Sequence, residues 1–200
     1  MEKSFMYKLC KTEQSARRQR EIEKALYRAL EKKNYTDVTI TELCITLKMP
    51  RKTFYRYFDS KDDALYALIE HTMFEYQGFN QDGNEGQRTL KNELKMFFEF
   101  WYQNRDFLET LDRNSMLDKI IEVSVNIPIK DFVSLSKFLP DDNEWARGKI
   151  FKFAVCGLVT SMLDWYHEGF KTSMSDMVDL SCRVLSHPLF PNLNKLGIQI

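Results

Sequence analysis

No stretch of this sequence is apolar over the roughly 20 residues that a membrane-spanning helix needs. Its first residues, MEKSFMYKLCK, contain no apolar segment long enough for a secretory signal. Both absences predict a cytoplasmic protein. Cysteine is sparse and scattered. Cys10, Cys44, Cys156 and Cys182 show no CxxC spacing, and His71, His167 and His187 do not complete a ligand pattern with them. A structural metal is therefore not expected, and free thiols are the default in a reducing compartment. Cys44 reads as a small buried residue rather than a redox centre. Seven glycines and five prolines leave little room for low-complexity sequence. There is no P-loop, no GxGxxG after a strand, no nucleophile elbow and no metal-binding His pair. Alternation of the kind that marks strands is missing as well. Neither catalysis nor a cofactor is expected.

What is present is apolar residue in quantity: 44% of the chain, with 14% aromatic, is ample for a packed core. Charge is unevenly placed. The formal net charge is zero, yet Met1 to Lys61 holds 15 Lys/Arg against 8 Asp/Glu, and the remainder holds 14 against 21. A basic head and an acidic body are hidden by the total. A basic head suits phosphate contact, because neutralised phosphates release counterions.

The densest pattern lies in the head, over TITELCITLKMPRKTFYRYFDSK, Thr39 to Lys61. Thr39-x-x-Glu42 is a capping box, and Val38 with Leu43 has the spacing of a hydrophobic staple. Ile40, Leu43 and Leu47 recur at helical spacing. The helix should stop near Lys48, because Pro50 pushes Met49 out of the α region. Pro50 can open the next helix, where a missing amide costs nothing. That second helix, from about Arg51 to Phe58, offers Phe54 and Phe58 for packing. Its outer face carries Arg51, Lys52, Thr53, Tyr55, Arg56 and Tyr57. Two short helices in this arrangement have the layout of a helix-turn-helix.

The run from Thr39 to Leu65, centred on TFYRYFDSKDDAL, resembles the DNA-binding domain of TetR-type transcriptional repressors. Thr53, Phe54, Tyr55, Tyr57, Phe58 and Lys61 stand at the places of that family's Thr-Leu-Tyr-x-(Tyr/His)-Phe core and following Lys. The specific part covers about the first third of the chain. Two positions depart from the pattern. Lys48 stands where the family often has Gly, and Pro50 where it often has Ser or Thr. The resemblance implies that Thr53, Tyr55 and Lys61 contact phosphates and set the register. Arg51, Lys52, Arg56 and Tyr57 become the residues for base edges, and Thr41 reaches a base or phosphate. An Arg that grips guanine O6 and N7 supplies about 1–3 kcal/mol of discrimination.

Around this motif the pattern predicts a polar arm over residues 1–16 and a helix from about Arg17 to Lys33. Ile22, Ala25, Leu26, Ala29 and Leu30 form its apolar stripe. The resemblance places the arm and Arg17, Arg18 and Arg20 near the DNA backbone. Ser60 can cap a helix, with Asp63 at its third position, that runs to about Tyr76. Residues 77–87, QGFNQDGNEGQ, read as a linker. The body then shows periodic segments at 89–104, 106–111, 116–125 and 129–139. The longest follows from Asp142 to Glu168, stopped by Gly169. A last helix opens at Ser175, reaches Leu185, and is ended by Pro188 and Pro191.

The expected fold is all-α. It comprises an N-terminal three-helix helix-turn-helix domain (1–60), a connecting helix (61–80), and a larger helical effector-binding and dimerisation domain (81–200). By resemblance the body surrounds a small hydrophobic or aromatic effector, with Phe98, Trp101, Phe107, Leu111, Met116 and Phe153 as candidate lining. The last two helices resemble the family's dimerisation pair, with Leu158, Met162, Trp165, Val178 and Leu185 as candidate interface. Ordinary core packing would account for the same aromatic spacing. The functional expectation is a homodimeric repressor, released from a palindromic double-stranded operator by a small molecule. The alternative is a helical regulator whose C-terminal domain binds a partner protein, as a co-regulated activator or adaptor.

Overall fold

The computed structural model describes residues 7, 10–79, 89–128, 137–139 and 143–186, with no side-chain description for 77–79. Every regular element among them is helical. These are α1 (Glu13–Leu30), a 3-10 turn (Tyr35–Asp37), α2 (Ile40–Thr46), α3 (Arg51–Phe54), α4 (Lys61–Phe79), α5 (Leu90–Gln103), α6 (Arg105–Arg113), α7 (Asp118–Asn126), α8 (Glu144–His167) and α9 (Met174–Ser186). Among the described residues no helix is long and apolar enough to cross a membrane. Most of the expected linker, residues 129–136 of the helix expected at 129–139 and the closing prolines fall outside the described residues; residues 137–139 are turn rather than helix, and residues 77–79 belong to α4.

Caps explain where the helices begin. Thr12 and Ser15 form a reciprocal capping box, each backbone N–H donating to the other's hydroxyl at 3.2 Å. α1 therefore starts four residues before the expected Arg17 and takes in the end of the supposed arm. Thr39 accepts from the Glu42 N–H at 3.2 Å, as its spacing predicts. Ser60 and Asp63 exchange bonds of 3.0 and 2.8 Å at the start of α4. Asn143 caps α8 through the Ala146 N–H at 2.9 Å. Ser173, not Ser175, caps α9 by accepting from the Asp176 N–H at 3.1 Å.

The chain separates into two compact units. One comprises residues 1–75 and 105–127, the other 76–104 and 128–200. α6 and α7, expected in the body, thus pack with the helix-turn-helix segment. The core of this first unit holds Ile22, Leu26 and Leu30 from α1, Leu43 from α2, Phe54 and Phe58, and Leu65 and Ile69 from α4. Leu108, Leu111 and Ile120 complete it. Tyr7 also docks there. Its ring lies 6.3 Å from Phe58 and 5.5 Å from His71, and its hydroxyl donates to Glu70.

The second unit is built on α5, α8 and α9. Leu94, Phe98 and Trp101 of α5 are buried, as are Leu158, Met162 and Trp165 of α8. Phe98 meets Trp165 edge-on at 5.6 Å. Lys91 and Asp179 pair at 2.6 Å between α5 and α9. α8 ends in a Schellman motif. Gly169 N–H donates to Tyr166 O at 2.8 Å and Phe170 N–H to Trp165 O at 2.9 Å. Gly169 is left-handed there, φ +69°, which glycine adopts without a Cβ clash.

Candidate nucleic-acid interface

α2, the turn and α3 are held locally. Leu43 and Cys44 of α2 face inward, and Phe54 of α3 is fully buried against Phe58 at 5.7 Å. Burial pushes the Cys44 thiol up, away from the reactive thiolate. The turn is closed by Met49 N–H donating to Cys44 O at 2.9 Å. Lys48 sits in it at φ +50°, the conformation that the family's usual Gly adopts freely. Pro50 is the N-cap residue of α3, and its carbonyl accepts from Thr53 N–H at 2.8 Å. α3 is shorter than the expected Arg51 to Phe58. After one α-turn, bonds from Arg56 to Thr53 and from Tyr57 to Phe54 tighten the chain as far as Phe58.

The expected contact residues divide. Thr41, Arg51, Lys52, Tyr55 and Arg56 are exposed, and Thr53 is half-buried. Arg51 donates to the Tyr55 hydroxyl at 3.1 Å, which presents the two as a pair and holds the guanidinium pKa up. Tyr57 is buried and has little surface left for a base edge. Lys61 is committed elsewhere. Its ammonium donates to Tyr35 O at 2.5 Å and Val38 O at 2.7 Å, and lies 3.9 Å from the Tyr35 ring centre. Burial lowers its pKa. Lys61 therefore ties α4 to the α1–α2 connection.

A groove of about 480 Å³ brings the start of α1 to the recognition segment. Thr12, Gln14, Ser15, Arg17, Arg18 and Glu21 line one side, and Thr53, Arg56 and Tyr57 the other. Arg17 pairs with Glu13 at 2.6 Å and Arg18 with Glu21 at 2.7 Å, each within α1. Arg56 has no acidic partner among the described residues. Hydroxyls and guanidinium groups in one open groove can hold a phosphodiester: the cations neutralise it and the hydroxyls donate to its oxygens. Thr12, Gln14 and Ser15 were absent from the sequence-based set. Their signal was the Thr12-x-x-Ser15 spacing, hidden inside an apparently featureless arm.

The six candidate effector residues are divided between the two units. Phe107, Leu111 and Met116 belong to the first unit, and Phe98, Trp101 and Phe153 to the second. Phe98 and Trp101 are core, and Phe153 is 69% exposed. Of the candidate interface residues, Leu158, Met162, Trp165 and Val178 are buried within the protomer, and Leu185 is half-buried. The exposed apolar positions there are instead Trp145, Ile150 and Phe153 of α8 and Leu180 and Val184 of α9.

No protein-family model matches the chain. Two solved structures superpose on nearly its whole length. One is a TetR transcriptional regulator from Streptococcus agalactiae 2603V, 17% identical, covering 87% of this chain and 96% of that one, TM-score 0.55. The other is the fatty acid degradation regulator FadR from Bacillus halodurans, 15% identical, covering 90% and 98%, TM-score 0.53. The chain has the TetR-type fold. In the TetR-type arrangement the helix-turn-helix is α2–α3, and the groove described above flanks it. A curated relative, the HTH-type dhaKLM operon transcriptional activator DhaS of Lactococcus lactis subsp. lactis (strain IL1403), is 26% identical over 116 residues. That match takes in 52% of this chain and 60% of the relative's length.

Proposed function

We propose that this chain is a homodimeric, sequence-specific DNA-binding transcriptional regulator. The observation that carries the reading is the exposed cationic face of α3 and the turn that follows it, where Arg56 opens into the groove lined by Arg17 and Arg18. Arg51, Lys52 and Arg56 read base edges in the major groove. Thr12, Ser15, Arg17, Arg18 and Thr53 hold the backbone and set the register. Two copies related by a two-fold axis read a palindromic operator. Exposed apolar residues on α8 and α9 support dimerisation through the second unit.

A repressor released by a small molecule is the leading form of this reading. An effector acts only by preferring the dimer whose two heads are wrongly spaced. A relative described as a transcriptional activator supports an activator as the second form, and in that form the body would engage a partner protein instead of a small molecule.

Titration against the chain's own upstream DNA and a scrambled duplex, at two salt concentrations, tests the proposal. Tight binding to the first alone, weakening steeply with salt, is the expected result. Equal and weak binding to both would overturn specific recognition of that DNA. An effector screen read by loss of the specific signal then separates the two forms.

A further inference from the structure

Gln19 of α1 is only 3% exposed, yet half of its side-chain amide goes unmet. Oε1 accepts from the Cys10 thiol at 2.7 Å. Nε2 has no hydrogen-bond partner among the described residues. Buried amide nitrogens are normally bonded, and a stranded one is costly. Turning the amide over does not cure this. Nε2 would then face the sulfur, a weak acceptor, and Oε1 would be stranded in its place. A thiol at residue 10 therefore satisfies only one end of Gln19.

Cys10 is held beside that amide from both directions along the chain. Before it, the Tyr7 ring lies 6.3 Å from Phe58 and the Tyr7 hydroxyl donates to Glu70. After it, the Thr12–Ser15 box fixes the start of α1. The Cys10 thiol is free and half-buried, so a small reagent can reach it. The other thiols differ. Cys44 is buried. Cys156 and Cys182 are half-buried on α8 and α9, and neither thiol makes a hydrogen bond among the described residues.

We propose that Cys10 is a site of reversible oxidation by hydroperoxides, and that Gln19 holds the sulfenic acid formed there. The sulfur, as thiolate, attacks one peroxide oxygen. An S–O bond forms, the O–O bond breaks, and hydroxide leaves. The proton given up by the thiol and the departing hydroxide make water. Sulfur is oxidised and the peroxide is reduced. The hydroxyl now on the sulfur is the group that the amide lacked. It can donate to Oε1 and, through its own oxygen, accept from Nε2. The Nε2 bond begins to form on the oxygen as it transfers, so it favours the step as well as the product. A thiol reductant returns Cys10 to its starting state.

The full, reduced chain treated with hydrogen peroxide tests this. Dimedone, a cyclic diketone that captures sulfenic acids, is added, and peptide mass spectrometry reads each cysteine. Cys10 should be labelled about 10-fold more than Cys156 or Cys182. Cys44 should stay unlabelled while the core is intact, and so reports the fold of every variant. Gln19→Leu should cut the Cys10 label by about 10-fold and leave Cys156 and Cys182 unchanged. Gln19→Glu, which keeps the size but removes the N–H donor, should do the same. Excess dithiothreitol before the dimedone should abolish the label. Equal labelling of Cys10, Cys156 and Cys182 in the wild type overturns the proposal, whether or not the variants fold. So does a Cys10 label that neither Gln19 variant changes, or one that dithiothreitol does not remove. DNA takes no part in the measurement, so each of these results leaves the regulator reading standing.

Discussion

Asn114 Oδ1 accepts a hydrogen bond from the Tyr35 backbone N–H at 2.7 Å. The same amide group donates to Thr110 O at 2.7 Å. Beside it, Arg113 donates to Glu31 O at 3.1 Å. The end of α6 thus satisfies backbone groups just beyond α1, where a helix leaves its last carbonyls without intrahelical partners. This is the physical reason that α6 belongs with the helix-turn-helix segment.

Asn114→Ala should therefore destabilise the first unit by about 1–3 kcal/mol, the usual penalty for stranding a partly buried backbone donor. Asn114→Asp keeps the acceptor and should lose less. Denaturant unfolding of the two variants beside wild type checks the order. Equal losses would show that the Tyr35 contact contributes little.

Lys48→Gly should stabilise the protein. A side chain at φ +50° clashes with its own backbone, a strain of roughly 1–2 kcal/mol. Glycine removes it but adds freedom to the unfolded chain. The net expectation is a gain of under about 1 kcal/mol, read as a higher denaturant midpoint. A lower midpoint would mean that Lys48 makes a stabilising contact outweighing the strain.

Lys61→Ala should act on folding first. Its ammonium holds two carbonyls in the α1–α2 connection. The variant should melt earlier, and its DNA affinity should fall equally on specific and random duplexes. Arg56→Ala should behave oppositely: unchanged melting, with a larger loss on the specific duplex, about 1–3 kcal/mol if it grips one guanine. Arg17→Ala should weaken both duplexes alike and lower the salt slope by about 1. Equal losses on both duplexes for Arg56→Ala would remove it from the base-reading set.

The Glu42–Lys33 pair predicts an acid-sensitive joint between α1 and α2. The Lys33 ammonium, with a smaller contribution from the Thr39 amide, holds the Glu42 carboxyl below its ordinary 4.5. A depressed folded pKa contributes stability that is fully present above the unfolded value. That stability is lost as pH falls from about 4.5 through the lower folded value. Between those limits wild type should lose stability faster than Glu42→Gln. A pH series of melting temperatures checks this; parallel curves below pH 4.5 would exclude a role for the pair.

Much of the local architecture was legible because its causes act within a few residues. Thr39 with Glu42, Ser60 with Asp63 and Gly169 after α8 close hydrogen bonds inside one turn, so spacing alone reveals them. At α9 two serines stand two residues apart, and the helix opens after Ser173 rather than at the expected Ser175, so the boundary moved. The start of α1 was missed because its box ends in Ser15 rather than Glu or Gln, in a stretch otherwise without apolar period.

By itself the sequence determined the helical elements, the helix-turn-helix and its cationic outer face, since these follow from periodicity and short-range caps. Only the tertiary structure decided which faces are covered. It buried Tyr57, committed Lys61 to two carbonyls, joined α6 and α7 to the first unit, and left Phe153 and Gly157 in the open. Period tells which residues share a helix face. It does not tell which neighbour removes that face from water, because burial depends on contacts between residues far apart in the chain.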